Sequence, residues 1–217
     1  MDIQLWIEFF IRAFAGVFVI LDPIGGTTHF LALTSQDSEV GKKNVARRAC
    51  IAAFSILIFF SFAGGALFRY FGITLAALKI AGGVLLFTVA LSMLYGKRSG
   101  IKTTPEEEQE HNELQEVAII PLAMPILSGP GAITTVMVFA SEAKTVERLL
   151  ALVVAISLSV IIAYLVFVNS TLIQNVLKQS GIKVLTRIMG LIMAVISVQF
   201  VINGITDVIP FLMMRNI

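Results

Sequence analysis

Five long stretches of this chain carry no Asp, Glu, Lys or Arg. They lie between Arg48 and Arg69, Lys79 and Lys97, Glu116 and Glu142, Arg148 and Lys178, and Arg187 and Asp207. A helix needs roughly 20 apolar residues to cross a hydrocarbon core of about 30 Å. The Lys79–Lys97 run lies near that lower limit and the others meet it. Composition agrees: 57% of the 217 residues are hydrophobic, 14% are charged, and the mean hydropathy is +0.91. A soluble domain of this size would expose too much apolar surface to stay monomeric. The pattern is that of a polytopic, all-α membrane protein. A net charge of +2 is too small to indicate a nucleic-acid partner.

Six membrane segments are predicted, at 4–34, 49–70, 73–95, 117–140, 149–171 and 185–207. The first is the least apolar, because Glu8, Arg12 and Asp22 interrupt it. Glu8 and Arg12 are spaced i,i+4 and can pair on one face near an interface. Asp22 lies too far inside for that, roughly 27 Å of helix from the N-terminus. The N-terminus has no basic n-region and no Ala-x-Ala site, so the first segment is expected to be retained. Cys50, the single cysteine, reads as a small packing residue.

Basic residues set the orientation. Lys42, Lys43, Arg47 and Arg48 lie in the first connection, Lys97, Arg98 and Lys102 in the third, and Lys178, Lys183 and Arg187 in the fifth. The positive-inside tendency makes these connections cytoplasmic and puts both termini outside, on the periplasmic side of a cell (inner) membrane. The third connection also holds Glu106, Glu107, Glu108, Glu110, Glu113 and Glu116, and reads as a solvated linker. The expected organisation is a first three-helix repeat over 1–96, a charged cytoplasmic linker over 97–116, and a second repeat over 117–217.

Two of the apolar segments are broken by Pro and Gly, at Leu21-Asp22-Pro23-Ile24-Gly25-Gly26-Thr27-Thr28 and at Leu127-Ser128-Gly129-Pro130-Gly131-Ala132-Ile133-Thr134. A shift of 106 residues places Leu21 on Leu127, Gly25 on Gly131, Thr28 on Thr134 and Ser35 on Ser141. Two further residues of shift place Lys79-Ile80-Ala81-Gly82 on Arg187-Ile188-Met189-Gly190. Each repeat holds three spans, an odd number, so the second enters the membrane with reversed polarity. Paired breaks in an inverted repeat point to a transport site near the bilayer midplane. The freed backbone groups of a broken helix are tolerated only where they are buried or line a cavity.

The residues around these breaks resemble the MarC/SnatA family of small bacterial and archaeal membrane proteins. Leu21-Asp22-Pro23-Ile24-Gly25 followed by Phe30 is similar to the first family signature, and Pro121 through Ile133 to the second. Gln199-Phe200-Val201-Ile202-Asn203-Gly204-Ile205 resembles the last helix. The resemblance covers essentially the whole chain. It implies six transmembrane helices in two inverted three-helix repeats, with the first and fourth segments broken. For transporting members it implies movement of neutral amino acids such as glycine and alanine. The chain departs from the family at Gly26 and Thr28, where Asn and Pro are usual, with Thr27 between them and His29 next.

A zwitterionic amino acid requires donors for its carboxylate and acceptors for its ammonium. Half-helices starting near Gly26 and Gly131 offer N–H groups and positive dipole ends. Carbonyls freed around Pro23 and Pro130 can accept from the ammonium. Gly25, Gly26, Gly129 and Gly131 permit close backbone approach, and Thr27, Thr28, Ser128, Thr134 and Thr135 supply hydroxyls. The alternative is that these residues only kink packed helices. Asp22 either meets the ammonium or a coupling proton, or caps the helix that Pro23 begins. Gln199 and Asn203 share one face of the last helix, as a cavity wall or an interhelical hydrogen bond. His29 is either simply hydrogen-bonded or a proton-coupling group. Lys79 and Arg187 are expected to snorkel, and Gly64-Gly65 and Gly82-Gly83 to be close packing points.

The leading expectation is a secondary transporter of small neutral amino acids, working as an exporter in the lipid bilayer with a proton or sodium ion as a possible coupling partner. No phosphate-binding Gly-rich loop with Lys, His-Glu-x-x-His or Gly-x-Ser-x-Gly occurs, so neither ATP use nor an enzyme is expected. No cofactor or metal is expected either. The rival readings are a channel or carrier for another small solute or ion, and a membrane protein without transport.

Overall fold

The structure, a computed structural model, describes residues 3–96 and 127–214. Seven helices carry almost all of them: α1 (Ile3–Leu21), α2 (Pro23–Leu33), α3 (Glu39–Phe71), α4 (Leu75–Tyr95), α5 (Pro130–Glu142), α6 (Val146–Val168) and α7 (Ser170–Met214). The fold is all-helical. Among the described residues, five stretches are long and apolar enough to cross a membrane: Gln4–Leu33, Glu39–Phe68, Leu75–Tyr95, Val146–Val168 and Ser170–Ile209. The first half of the expected fourth segment, 117–126, and the linker over 97–116 lie outside the described residues.

Two helices extend beyond the spans expected from sequence. α3 begins at Glu39, well before the apolar run at Ala49, and α7 begins at Ser170, far ahead of position 185. Charged side chains mark where the hydrocarbon begins, whereas a helix continues into water wherever its backbone bonds persist. Within α7 the helix turns at Lys178, whose φ of 53° and ψ of 174° are non-helical.

The pairing of helices is spread across the two halves of the chain. α4 lies along α7 in the most extensive contact, α1 packs on α6, and α5 packs on α3. α3 also meets α6, α2 meets α7, α4 meets α5, and α1 touches α5. The interior divides accordingly. A larger core joins α1, α2, α3, α5 and α6 through Phe9, Phe30, Leu57, Val136, Ile156 and Phe167. A smaller one joins α4 and α7 through Leu86, Ala90, Met193 and Phe200, with Val19 and Val138 completing it from α1 and α5. The two broken segments therefore lie where the cores meet.

Lipid is as apolar as leucine, so association in a bilayer relies on close packing rather than on the hydrophobic effect. Glycines supply that packing between α4 and α7. A Cβ on Gly83 would lie 2.7 Å from the Ser197 carbonyl, and one on Gly204 would lie 2.8 Å from the Ala76 carbonyl. Gly82 abuts Thr134, and Gly64 faces Met137 with 2.9 Å to its Cε. Gly65 departs from expectation: nothing lies within 4 Å of its Cβ position, so it is not a packing point among the described residues.

Lys79 also departs from expectation. Its side chain is 8% exposed, and its ammonium lies 3.1 Å from Asp207 Oδ2 and 3.4 Å from Glu142 Oε1. Instead of snorkelling it ties α4 to α5 and α7. Arg187, its counterpart in the repeat, is exposed.

Candidate functional site at the paired helix breaks

The first break follows from Pro23. Proline has no N–H to offer the carbonyl four residues back, and its ring pushes the preceding residue out of the right-handed helical region. Asp22 accordingly takes a left-handed conformation, φ 36° and ψ 61°, which Asp tolerates better than most residues. Its carboxylate Oδ1 accepts from the Gly25 N–H at 3.2 Å, and its carbonyl accepts from the Gly26 N–H at 2.9 Å. Asp22 is thus the cap of α2. Its Oδ2 hangs over Gly25, close enough that a Cβ there would collide with it, and Thr186 Oγ1 of α7 lies 3.0 Å from the same point.

The second break is built differently. Gly129 is extended, φ −61° and ψ 171°, and Pro130 starts α5. Glycine supplies no side-chain cap, so no side chain from the cap reaches the first-turn N–H groups of Gly131 and Ala132. Those groups and the aligned peptide dipoles leave a partial positive charge at this helix start. The Ile133 N–H is satisfied, at 3.1 Å from the Gly129 carbonyl.

The hydroxyls divide into used and unused. Thr27, fully buried, donates to the Ile24 carbonyl at 2.6 Å, and Thr134 donates to the Pro130 carbonyl at 2.8 Å. Ser128 is buried and engaged. Thr135 has zero exposure, and its Oγ1 has no hydrogen-bond partner among the described residues. Buried polar atoms are nearly always paired, so this one is a marked exception.

The start of α5 packs against the last turn of α1, just ahead of the first break. A Cβ on Gly131 would lie 3.8 Å from Ile20 Cγ2, two residues ahead of Asp22, and 2.8 Å from Leu86 Cδ2 of α4. Pro23 and Gly26 are buried, Gly25 and Gly129 are half-buried, and Pro130, Thr28 and His29 are exposed. Gln199 and Asn203 stand apart: they share a face, as their spacing requires, and Gln199 Nε2 donates to Asn203 Oδ1 at 2.7 Å on the exposed side of α7. Sequence reasoning missed Thr186 and Leu86. Thr186 directly precedes Arg187 in the repeated Lys79/Arg187 segment, a position that only the fold carries to Gly25. Among the described residues no group of His, Cys, Asp and Glu is arranged to hold a metal ion.

Residues 7–209 match the family model described as MarC family integral membrane protein. The chain belongs to the MarC family. Its relatives include a "UPF0056 membrane protein" of Aquifex aeolicus, 38% identical over 208 residues, which cover 94% of this chain and 97% of the relative. A relative from Escherichia coli, "UPF0056 membrane protein YhcE", is 31% identical over 213 residues, 97% of this chain and 99% of its own. Another, from Bacillus subtilis, "UPF0056 membrane protein YvbG", is 32% identical over 206 residues, 94% and 98% of the two chains. No solved structure matches the chain.

Proposed function

We propose that this MarC-family protein is a secondary transporter of small neutral amino acids of the glycine and alanine type, exporting them by alternating access around the two breaks. The observation that carries the reading is a pair of unlike helix starts, one capped by Asp22 and one uncapped at Gly129 with Gly131 packed on Ile20 of α1, together with the buried hydroxyl of Thr135, unpartnered among the described residues, one turn into α5. The uncapped start of α5, with the Gly131 and Ala132 N–H groups, suits a carboxylate. Asp22, already committed through Oδ1, retains Oδ2 for an ammonium. A small zwitterion needs both ends within a few ångströms, and Thr135 Oγ1 adds a directional contact. Leu86 and Ile20 crowd the space in which a side chain would project, favouring the smallest substrates.

The inverted repeat belongs to this reading. Exchanging the halves maps α2–α7 onto α5–α4 and α2–α6 onto α5–α3, and returns α4–α7 and α3–α6 to themselves; the counterpart of α1 lies outside the described residues. The two cores suggest the moving parts: α4 and α7, locked by glycine contacts, form one body, and the helices around the larger core form the other. The broken segments lie on the boundary that such a rocking motion opens. Both termini outside, with Arg47 and Arg48 cytoplasmic, completes the orientation.

The test is counterflow of labelled glycine and alanine in liposomes holding purified protein. Gly131→Leu would push a branched side chain against Leu86 and fill the junction, so exchange should be lost while the protein stays monodisperse. Exchange that survives Gly131→Leu would remove the site, and a wild-type protein that exchanges no small neutral amino acid would remove the function.

A further inference from the structure

Away from the helix breaks, a groove with a volume of ≈480 Å³ runs between α3 and α6. Its size falls within the roughly 300–1,000 Å³ of small-ligand sites. Arg47, Ile51 and Phe54 line one wall, and Val160, Ile161 and Tyr164 line the other. Both sets follow helical spacing, so each wall is a single helix face. The groove opens outward, since Ile51 is 59% and Ile161 54% exposed. Ser157, which also borders it, spends its hydroxyl on the Val153 carbonyl at 2.7 Å. The walls are therefore apolar, and the groove faces the hydrocarbon.

One end differs in chemistry. Arg47 and Arg48 are the last charges before the apolar run that reaches Arg69, which puts them at the water–hydrocarbon boundary. Both are exposed, and neither forms an ion pair among the described residues. Lys42, one turn earlier, is already neutralised by Glu39 at 2.9 Å. An occupant of this groove must be apolar along its length and anionic where it reaches the interface. A guanidinium matches a phosphate with two parallel hydrogen bonds.

We propose that the groove between α3 and α6 is a binding site for an anionic phospholipid, one acyl chain lying against Ile51, Phe54, Val160 and Ile161 and the phosphate held by Arg47. The site is independent of the transport reading, because no residue of it belongs to either break. Tyr164, the last residue that α6 contributes to the groove, offers an apolar ring for the chain and a hydroxyl for the glycerol esters. Arg48 adds positive potential and makes the site prefer a net-negative headgroup over a zwitterionic one.

The experiment uses a chain whose single tryptophan, Trp6, is replaced by Phe and in which Ile161→Trp reports from the groove. In liposomes, brominated phosphatidylglycerol should quench this reporter at lower mole fraction than brominated phosphatidylcholine. Arg47→Gln should lower the preference about five-fold, the weight of one interfacial cation. A Val195→Trp reporter on the exposed face of α7, 65% exposed in the native chain, should register no preference. Native mass spectrometry of the unmodified protein from mixed lipid should retain one phosphatidylglycerol in preference to phosphatidylcholine. Equal quenching by the two lipids at position 161, a preference unchanged by Arg47→Gln, or an equal preference at position 195 would overturn the site. Retention of neither lipid by the unmodified protein would do the same.

Discussion

Replacing Thr135 with Val separates a structural hydroxyl from a functional one. Val keeps the shape and β-branching of Thr, so the helix preference of α5 and its packing change little. Only the hydroxyl is lost. In the present structure Thr135 is fully buried and Oγ1 has no partner among the described residues. An unsatisfied buried polar group costs about 1–3 kcal/mol, and replacing it by an apolar group of the same shape recovers part of that. The expected gain is about 1 kcal/mol, and the melting temperature of a chain this size rises about 2–4 °C for each such step. If the hydroxyl instead serves the zwitterion, its loss weakens a contact to a charged group by about 1.5–3 kcal/mol, roughly 10–100-fold in affinity. The combination is diagnostic: Thr135→Val should melt higher in detergent yet raise the half-saturating glycine or alanine concentration in liposome exchange at least ten-fold. Thr134→Val is the matched comparison, because that hydroxyl is already bonded to the Pro130 carbonyl at 2.8 Å; its exchange should stay within a few-fold of wild type. A Thr135→Val protein that melts lower and transports normally would refute the reasoning, since it would mean that the hydroxyl is satisfied and not aimed at substrate.

Three further outcomes are expected. Asp22→Ala removes the cap on the Gly25 N–H and should cost about 1 kcal/mol in thermal unfolding. Asp22→Asn keeps both the cap and the left-handed conformation, so loss of exchange in the Asn variant at unchanged melting temperature isolates the carboxylate charge; retained exchange assigns Asp22 to capping alone. Gly83→Ala drives a Cβ against the Ser197 carbonyl at 2.7 Å and should lower the melting temperature, whereas Gly65→Ala meets nothing within 4 Å and should gain about 0.5–1 kcal/mol from helix propensity. Equal effects at the two glycines would contradict the α4–α7 packing. Lys79→Met strands Glu142 and Asp207; because both carboxylates are partly exposed, at 29% and 44%, the loss should fall between the about 1 kcal/mol of a surface pair and the about 3–5 kcal/mol of a buried one. A neutral result in a melting assay would mean that the trio contributes no stability.

Much of the backbone plan was legible in the chain itself. Charge-free runs announce membrane helices because the bilayer tolerates few ions, and Pro23 and Pro130 announce breaks because proline lacks a donor. Those rules act on neighbours in sequence and need no partner. The same local rules offer Asp22 as one candidate cap and place a second helix start near Gly131, while the cap at Gly129 is read only from the structure. What they leave undetermined is which side chains meet. Lys79 finds Asp207 across 128 residues, Thr186 comes to Gly25, and Gly83 is crowded where Gly65 is open. Gln199 and Asn203 share the face their spacing demands, but only the packing of α7 decides that the face is exposed. The buried hydroxyl of Thr135, unpartnered among the described residues, and the groove under Arg47 likewise arise from the spaces left between helices. Backbone hydrogen bonding is satisfied within a segment, whereas packing and charge pairing are satisfied between segments, and it is the second that only the tertiary structure decides.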